Sequence, residues 1–210
     1  MPGAARKDSV FINCPFDRTY QPLFEVIVFT VIACGFVPRC ALEEADAGDV
    51  RIEKLLRLIR GCRFAIHDLS AVELNANGLP RFNMPFELGL DLGCKRFGSK
   101  IDGRKQLLIM DREQYRYQQF LSDIAGQDIR AHHHDIDEVA NVVRSWLRTT
   151  SKRTSIPGDG FIRDQFAAFA SALPELCDEG RLNRGELQYV DYADLVNSWL
   201  RNSIEEQSRS

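Results

Sequence analysis

Short apolar stretches alternate with longer amphipathic stretches along the first 150 residues of the chain. The short stretches are rich in β-branched and aromatic residues and are bounded by Gly, Pro, Asn or Asp, a pattern that is typical of buried strands. Five strands are predicted on this basis, of which the last is weak: 9–15, 36–42, 63–70, 105–111 and 127–133.

The stretches that follow these strands have helical periodicity. We expect Asp17 to cap the first helix and Asn83 to cap the third, with Pro85 tolerated in its first turn. Either Asp135 or Asp137 is expected to cap the fifth. Because strand and helix alternate five times, the sequence predicts an α/β fold, a five-stranded parallel sheet between two helical layers. The predicted helices span 18–34, 50–62, 83–97, 112–126 and 135–150.

The pattern changes beyond residue 150. Residues 151–160 are rich in Ser, Thr, Gly and Pro and are predicted to be a linker. Residues 161–210 contain two helical patterns with no strand between them. We therefore expect one α/β domain over 1–150, a linker over 151–160 and a small helical extension over 161–210.

Composition narrows the possible partners. The chain of 210 residues has 27 basic and 30 acidic residues, and no basic block indicates nucleic-acid binding. Its longest apolar run, 26–37, is too short to cross a hydrocarbon core of about 30 Å as a helix. We see no signal peptide and expect a cytoplasmic protein that does not bind membranes. The six cysteines form no C-x-x-C pair and are expected to be buried free thiols.

Polar residues gather where the predicted strands end. Asn13 lies near the end of the first strand and Asp17 follows it. Arg39 lies near the middle of the second strand, and Asp68 and Ser70 end the third. In an open parallel sheet the carboxyl ends of the strands form the ligand-binding edge. Neither G-x-G-x-x-G nor G-x-x-x-x-G-K-[ST] is present, so a bound nucleotide would be held by a different arrangement.

Glu87 is a carboxylate in the largely apolar segment "RFNMPFELGL". It is either a helix-start acid stabilised by the helix dipole or a carboxylate that faces a cleft, and we favour the cleft. Asp68 is equally well explained as a turn residue, and Asp17 is better explained as a cap. His67 should point away from Asp68 and pack in the core.

The run His132, His133 and His134 has no spacing that supports a closed metal site, so no metal is expected.

The segments "FINCPFD", "IHDLS" and "NMPFELG" together resemble the bacterial TIR-like and nucleoside 2-deoxyribosyltransferase-like group, over about residues 9–148. The resemblance implies a flavodoxin-like sheet in which Glu87 attacks or stabilises the anomeric carbon of a ribosyl unit and Asp68 contacts the sugar or base. Arg39 or Arg81 would pair with phosphate. The candidate catalytic residues are thus Glu87 and Asp68, and the candidate substrate-binding residues are Asn13, Phe16, Asp17, Tyr20, Arg39, Ser70, Arg81 and Asn83.

The segment before Glu87 departs from both branches of the group. It has no Gly-Thr pair, as a deoxyribosyltransferase would, and Asn83 and Pro85 stand where a TIR domain has a small hydroxyl residue and often a tryptophan. The identity of the substrate therefore stays open.

The resemblance implies an N-glycosidase that acts on NAD or a related nucleotide, in bacterial defence against phage. The nucleotide would be the substrate, with no other cofactor. One acid suffices for NAD, because nicotinamide leaves as a neutral amine. The C-terminal helices would mediate homo-oligomerisation or bind an activating protein. The alternatives are a non-catalytic nucleotide sensor and a TIR-like module that only self-associates.

Overall fold

A computed structural model describes residues 5–43, 46, 48–72, 78 and 80–209, with side chains as far as residue 203. The described residues form a five-stranded, all-parallel sheet in the order β2-β1-β3-β4-β5, which is the order of flavodoxin-like folds. The predicted fold class is confirmed. The strands are β1 (Ser9–Asn13), β2 (Val37–Arg39), β3 (Phe64–Asp68), β4 (Gln106–Asp111) and β5 (Arg130–Ala131).

Six α-helices are described: α1 (Gln21–Ala33), α2 (Arg51–Gly61), α3 (Asn83–Phe97), α4 (Ile136–Ser151), α5 (Asp159–Glu179) and α6 (Tyr189–Arg209). Asp135 caps α4 by accepting a hydrogen bond from the Glu138 amide at 2.9 Å, as predicted. Two other predicted caps are wrong. Asn83 lies inside α3, whose N-cap is Phe82, and Asp17 instead holds the turn before α1 by accepting from the amides of Thr19 and Tyr20.

The predicted helix over 112–126 is also wrong. This segment forms two short 3-10 helices, Arg116–Gln119 and Ser122–Ile124, with left-handed backbone at Tyr115 and at Gly126. The Arg116 guanidinium contacts the Asp111 carboxylate and donates to the carbonyls of Leu69 and Ser70. These contacts hold the segment against the ends of β3 and β4.

Side-chain alternation along the strands sorts the core into two layers. Val10 and Ile12 of β1 pack against α1 and α4, whereas Phe11, one position away, packs against α2. The same alternation places His67 on the α2 and α3 face and Ile66 on the α1 and α4 face. The neighbouring polar residues at the strand ends are therefore divided between two faces.

Helices α5 and α6 share the core of the sheet. The Phe29 ring of α1 lies 5.3 Å from that of Phe166 and 5.5 Å from that of Phe169. Arg184 binds both carboxylate oxygens of Glu25 at 2.8 Å, and the Tyr189 hydroxyl donates to the Pro38 carbonyl at 2.7 Å. The C-terminal helices are thus packed against the α/β domain. Only residues 152–158 separate α4 from α5.

All six cysteines are free; five of them are buried, as expected, whereas Cys94 is half-buried. Among the described helices, none combines the length and the apolar character needed to cross a membrane.

Candidate functional site: a carboxylate cleft at the end of the first strand

A cleft of about 340 Å³ opens between the carboxyl end of β1 and the start of α3. Its volume lies at the lower end of the range typical of small-molecule sites. The lining combines one carboxylate, one amide from the strand, two guanidinium groups and several apolar side chains. The described residues that line it are Asn13, Cys14, Pro15, Phe16, Arg51, Pro80, Arg81, Phe82, Asn83, Met84 and Glu87.

Glu87 is the unusual residue of this cleft. It lies one turn into α3 and is only 6% exposed. Its carboxylate accepts no hydrogen bond from any residue that the structure describes. Burial raises the pKa of Glu87 to about 7, and the positive charge of Arg51 only partly opposes this shift. A carboxylate that titrates near neutral pH and faces a cleft is a typical feature of functional sites.

Asn13 contributes a fixed amide group at the end of β1. Its side chain is 2% exposed, and its Nδ2 donates to the Met84 carbonyl at 2.9 Å. The same nitrogen lies 3.0 Å from Nδ1 of His67, which is the neighbouring residue in the β1–β3 register. Asn13 therefore connects the strand to the first turn of α3, close to Glu87. Its predicted place at the ligand edge agrees with this geometry.

Two arginines supply positive charge. Arg51 is the first residue of α2 and lines the cleft, and Arg81 forms an ion pair with Asp17 at 2.6 Å on its rim. Arg39, the other predicted phosphate ligand, is engaged by Glu43 in a bidentate pair and does not line the cleft. Sequence reasoning missed Arg51, because an arginine on a helix with amphipathic periodicity is ordinarily a surface residue. The sequence contained one indication of its role: Arg51 begins a helix that follows a strand, and such positions lie at the ligand-binding edge of a parallel sheet.

Cys14 also lines the cleft but is not a candidate nucleophile. Burial, and then the nearby charge of Asp68, raises the pKa of its thiol well above the ordinary value. Cysteine attacks as the thiolate, so a thiol held protonated is inert.

Asp68 lies on the other face of the sheet, and its predicted catalytic role beside Glu87 is not supported. It is fully buried and accepts hydrogen bonds from the Tyr20 hydroxyl and the Ser70 amide, and Nε2 of His132 lies 3.0 Å from its Oδ2. Although burial would raise its pKa, these donors hold it below the ordinary value. Asp68 thus joins β3 to α1 and to the turn after β5.

Tyr20 and Ser70, two of the predicted substrate-binding residues, belong to this buried network and do not line the cleft. Phe16 and Asn83, by contrast, do line the cleft. Phe16 is 39% exposed, and its ring meets that of Phe24 edge to face at 5.3 Å. An exposed aromatic ring beside a polar cleft is suited to stacking on a heteroaromatic base.

His67 is more than a packing residue. Its Nε2 lies 3.2 Å from the Asp91 carboxylate, whose other oxygen is 3.1 Å from the Lys105 ammonium. All three side chains are fully buried. They form a polar line that runs from the amino end of β4 to Asn13.

Within the described residues, no group of three His, Cys, Asp or Glu side chains is arranged to hold a metal ion. His132 is occupied by Asp68, and the backbone turns through left-handed conformations at His133 and His134.

Comparison of the chain with protein-family models, with curated proteins and with solved structures found no match.

Proposed function

We propose that this cleft binds the ribosyl part of a nucleotide and that the protein cleaves the N-glycosidic bond there, with NAD as the leading substrate. The observation that supports this proposal most is Glu87, a nearly buried carboxylate with no hydrogen-bond partner among the described residues and a pKa raised to about 7. The motif resemblance that suggested the chemistry centres on the same residue. Glu87 is the only carboxylate among the described residues that line the cleft.

The chemistry requires a carboxylate next to the anomeric carbon. When the bond from that carbon to the nicotinamide nitrogen breaks, its electron pair goes to the nitrogen and nicotinamide leaves neutral. The positive charge that develops on the sugar is stabilised by the ionised Glu87, either electrostatically or by a transient ester. Water then adds to the anomeric carbon and releases a proton, so the products are nicotinamide and ADP-ribose.

The rest of the cleft suits the other parts of a nucleotide. Arg51 and Arg81 offer guanidinium groups to phosphate oxygens. Arg81 would exchange its contact with Asp17 for the ligand. Phe16 would stack on a base.

The test is to incubate the purified protein with NAD, nucleosides and nucleoside monophosphates and to separate the products. We expect release of nicotinamide or a free base, and a loss of about 100-fold or more in rate for Glu87→Gln. Glu53→Gln, an exposed carboxylate on α2, is the matched control and should keep full activity. Because Glu87 acts in its ionised form, kcat/KM should rise with pH through about 7 and then level off.

Full activity of the Glu87→Gln variant would contradict this mechanism. Tight binding of a nucleotide without turnover, in the wild type and under all conditions of assembly, would instead favour the sensor.

A further inference from the structure

The orientation of the Asn13 amide can be derived from its partners. The Met84 carbonyl can only accept a hydrogen bond, so the atom 2.9 Å from it must be the Asn13 amide nitrogen. That nitrogen has two protons, and the second points to Nδ1 of His67 at 3.0 Å. Both donors are therefore used inside the protein. The Oδ1 oxygen accepts no hydrogen bond from any described residue and is left for the cleft.

This orientation in turn determines the tautomer of His67. Since Nδ1 accepts a proton from Asn13, it has none of its own, and the ring proton lies on Nε2. Nε2 then donates to the Asp91 carboxylate at 3.2 Å. A carboxylate behind an imidazole makes the opposite ring nitrogen a better acceptor, as in metal sites where a second carboxylate orients a ligating histidine.

Lys105 is the last residue of the buried chain that runs from Asn13 through His67 and Asp91. Its ammonium donates to the carbonyls of Ile59 and Cys62 at 2.6 and 2.8 Å and lies 3.1 Å from the second oxygen of Asp91. Asp91 is thus neutralised from one side and occupied by His67 from the other. The Asn13 amide nitrogen and His67 Nε2 thus each donate to a buried acceptor, and these contacts favour the orientation of Asn13 given above.

We infer that His67, Asp91 and Lys105 are positioning residues that hold Asn13 as a hydrogen-bond acceptor, and that the cleft therefore selects a ribosyl ligand with a free 2′-hydroxyl over its 2′-deoxy counterpart. This inference rests on the proposed function, because Glu87 places the anomeric carbon. The 2′-hydroxyl is on the adjacent carbon and is the nearest donor of the sugar. On the base side of the anomeric carbon, the nearest donor of NAD is the nicotinamide carboxamide.

The tautomer can be read without any ligand. ¹⁵N-resolved NMR of the wild-type protein, with ring nitrogens labelled and His67 assigned through His67→Gln, should show a protonated Nε2 and a bare Nδ1. A proton on Nδ1 overturns the positioning chain, whatever the protein does catalytically.

Ligand selection is tested with Glu87→Gln, in which turnover is expected to be slow enough for binding to be measured. Calorimetric titration should show NAD binding about tenfold or more tightly than the analogue that lacks the 2′-hydroxyl of the nicotinamide ribose. The nicotinic acid analogue, which replaces the carboxamide donor with a carboxylate, should bind within a few-fold of NAD. Equal affinity for NAD and the 2′-deoxy analogue overturns the hydroxyl contact and leaves the proposed function standing. A loss confined to the nicotinic acid analogue assigns Asn13 to the carboxamide instead. Failure of all three to bind overturns both proposals.

The ratio of the affinities for NAD and for its 2′-deoxy analogue distinguishes a positioning role of His67 from general destabilisation. His67→Leu in the same background removes the acceptor for Asn13, so the amide can rotate and the preference for NAD over the 2′-deoxy analogue should fall toward one. A residue that only supports the fold would lower both affinities together and keep the ratio, which would contradict the inference. Should this variant fail to fold, the NMR measurement on the wild type still tests the positioning chain, and the comparison of NAD with its 2′-deoxy analogue still tests the hydroxyl contact.

Discussion

The Glu87 carboxylate is placed where ionisation is unfavourable. It is nearly buried, and within the described part of the chain only the charge of Arg51 offsets its lost hydration. A buried acid without hydrogen-bond donors destabilises the folded protein once it is charged. Such a cost is tolerated at sites where a ligand later compensates it, and an oxocarbenium-like sugar or a cationic nicotinamide ring would provide that compensation.

This placement predicts how stability changes with pH. The pKa of Glu87 is about 7 in the folded protein and 4.5 in the unfolded chain, so between these values the folded state binds more protons. The free energy of unfolding should therefore fall as the pH rises from about 4.5 to 7, with a contribution from Glu87 of about 1 to 3 kcal/mol. Glu87→Gln lacks this contribution, so its stability relative to wild type should increase over the same window and stay constant above it.

Urea unfolding of both proteins at pH 5, 6, 7 and 8 measures this difference. Glu53→Gln is the control, because its exposed side chain should leave the pH profile unchanged. A difference between Glu87→Gln and wild type that does not vary with pH would show that Glu87 is solvated like an ordinary surface acid.

Sequence reasoning placed Glu87, Asn13 and Asp68 together, whereas in the structure only Glu87 and Asn13 line the cleft. The first two were found because polar side chains in apolar segments at the carboxyl edge of a sheet stand out. The alternation along β3 correctly predicted that His67 and Asp68 face opposite ways. It did not say which face holds the cleft, since that depends on where α3 packs. Asp68 was predicted to be catalytic because it is an acid. In the structure the cleft lies on the face of His67 instead.

At the scale of elements, the buried ammonium of Lys105 joins parts that are distant in sequence. It donates to the carbonyl groups of Ile59 and Cys62 at the end of α2 and pairs with Asp91 of α3. A lysine in the run "KQLLIMD" gave no sequence signal of this role, because a charge at a strand start is ordinarily solvated.

Lys105→Met should destabilise the protein by about 3 to 5 kcal/mol, because it leaves the buried Asp91 carboxylate without its cation. Lys100→Met, a change at an exposed position five residues earlier, should stay within about 0.5 kcal/mol. Adding Asp91→Asn to Lys105→Met should recover part of the loss, since no unpaired charge then remains. Chemical unfolding measures all three. Absence of recovery in the double variant would mean that packing around the lysine stem, rather than charge, is what matters.

Periodicity predicted the strands and most of the helices correctly. It failed for the segment 112–126, which forms two short 3-10 helices instead of an α-helix. Its apolar spacing fits a helix, and the competing bonds of Arg116 to the sheet edge come from residues about 46 positions away. Long-range contacts of this kind override local propensity and are invisible to a local pattern. The same holds for Asn83, whose favourable capping chemistry is unused because the helix begins one residue earlier, with Phe82 as the cap.

At the scale of the whole molecule, the C-terminal helices share the core of the α/β domain. Phe169 of α5 is fully buried and meets Phe29 of α1, Tyr192 and Trp199 of α6 at ring distances of 5.5 to 5.9 Å. Helix α1 is buried over most of its length, and these two helices cover part of its surface. The expected role of the extension in assembly stays a prediction, and any partner would bind its outer surface.

A shared core predicts a single cooperative unfolding transition. The chain has two tryptophans, Trp146 on α4, next to Phe64 of the sheet, and Trp199 on α6. They report on the α/β domain and on the extension, respectively. Fluorescence of Trp146→Phe and Trp199→Phe should therefore give urea midpoints that agree after correction for each variant's stability, measured by circular dichroism.

Phe169→Ala then tests the energetic link between the two parts. It should lower the free energy of unfolding by about 3 to 5 kcal/mol, because it leaves a cavity between α1, α5 and α6. Phe161→Ala at an exposed position of the same helix should cost less than about 0.5 kcal/mol. The decisive point is that Phe169→Ala should shift the Trp146 signal as much as the Trp199 signal. If only the Trp199 transition moved, the extension would unfold independently, and α1 would then have to be stable with one face exposed to water.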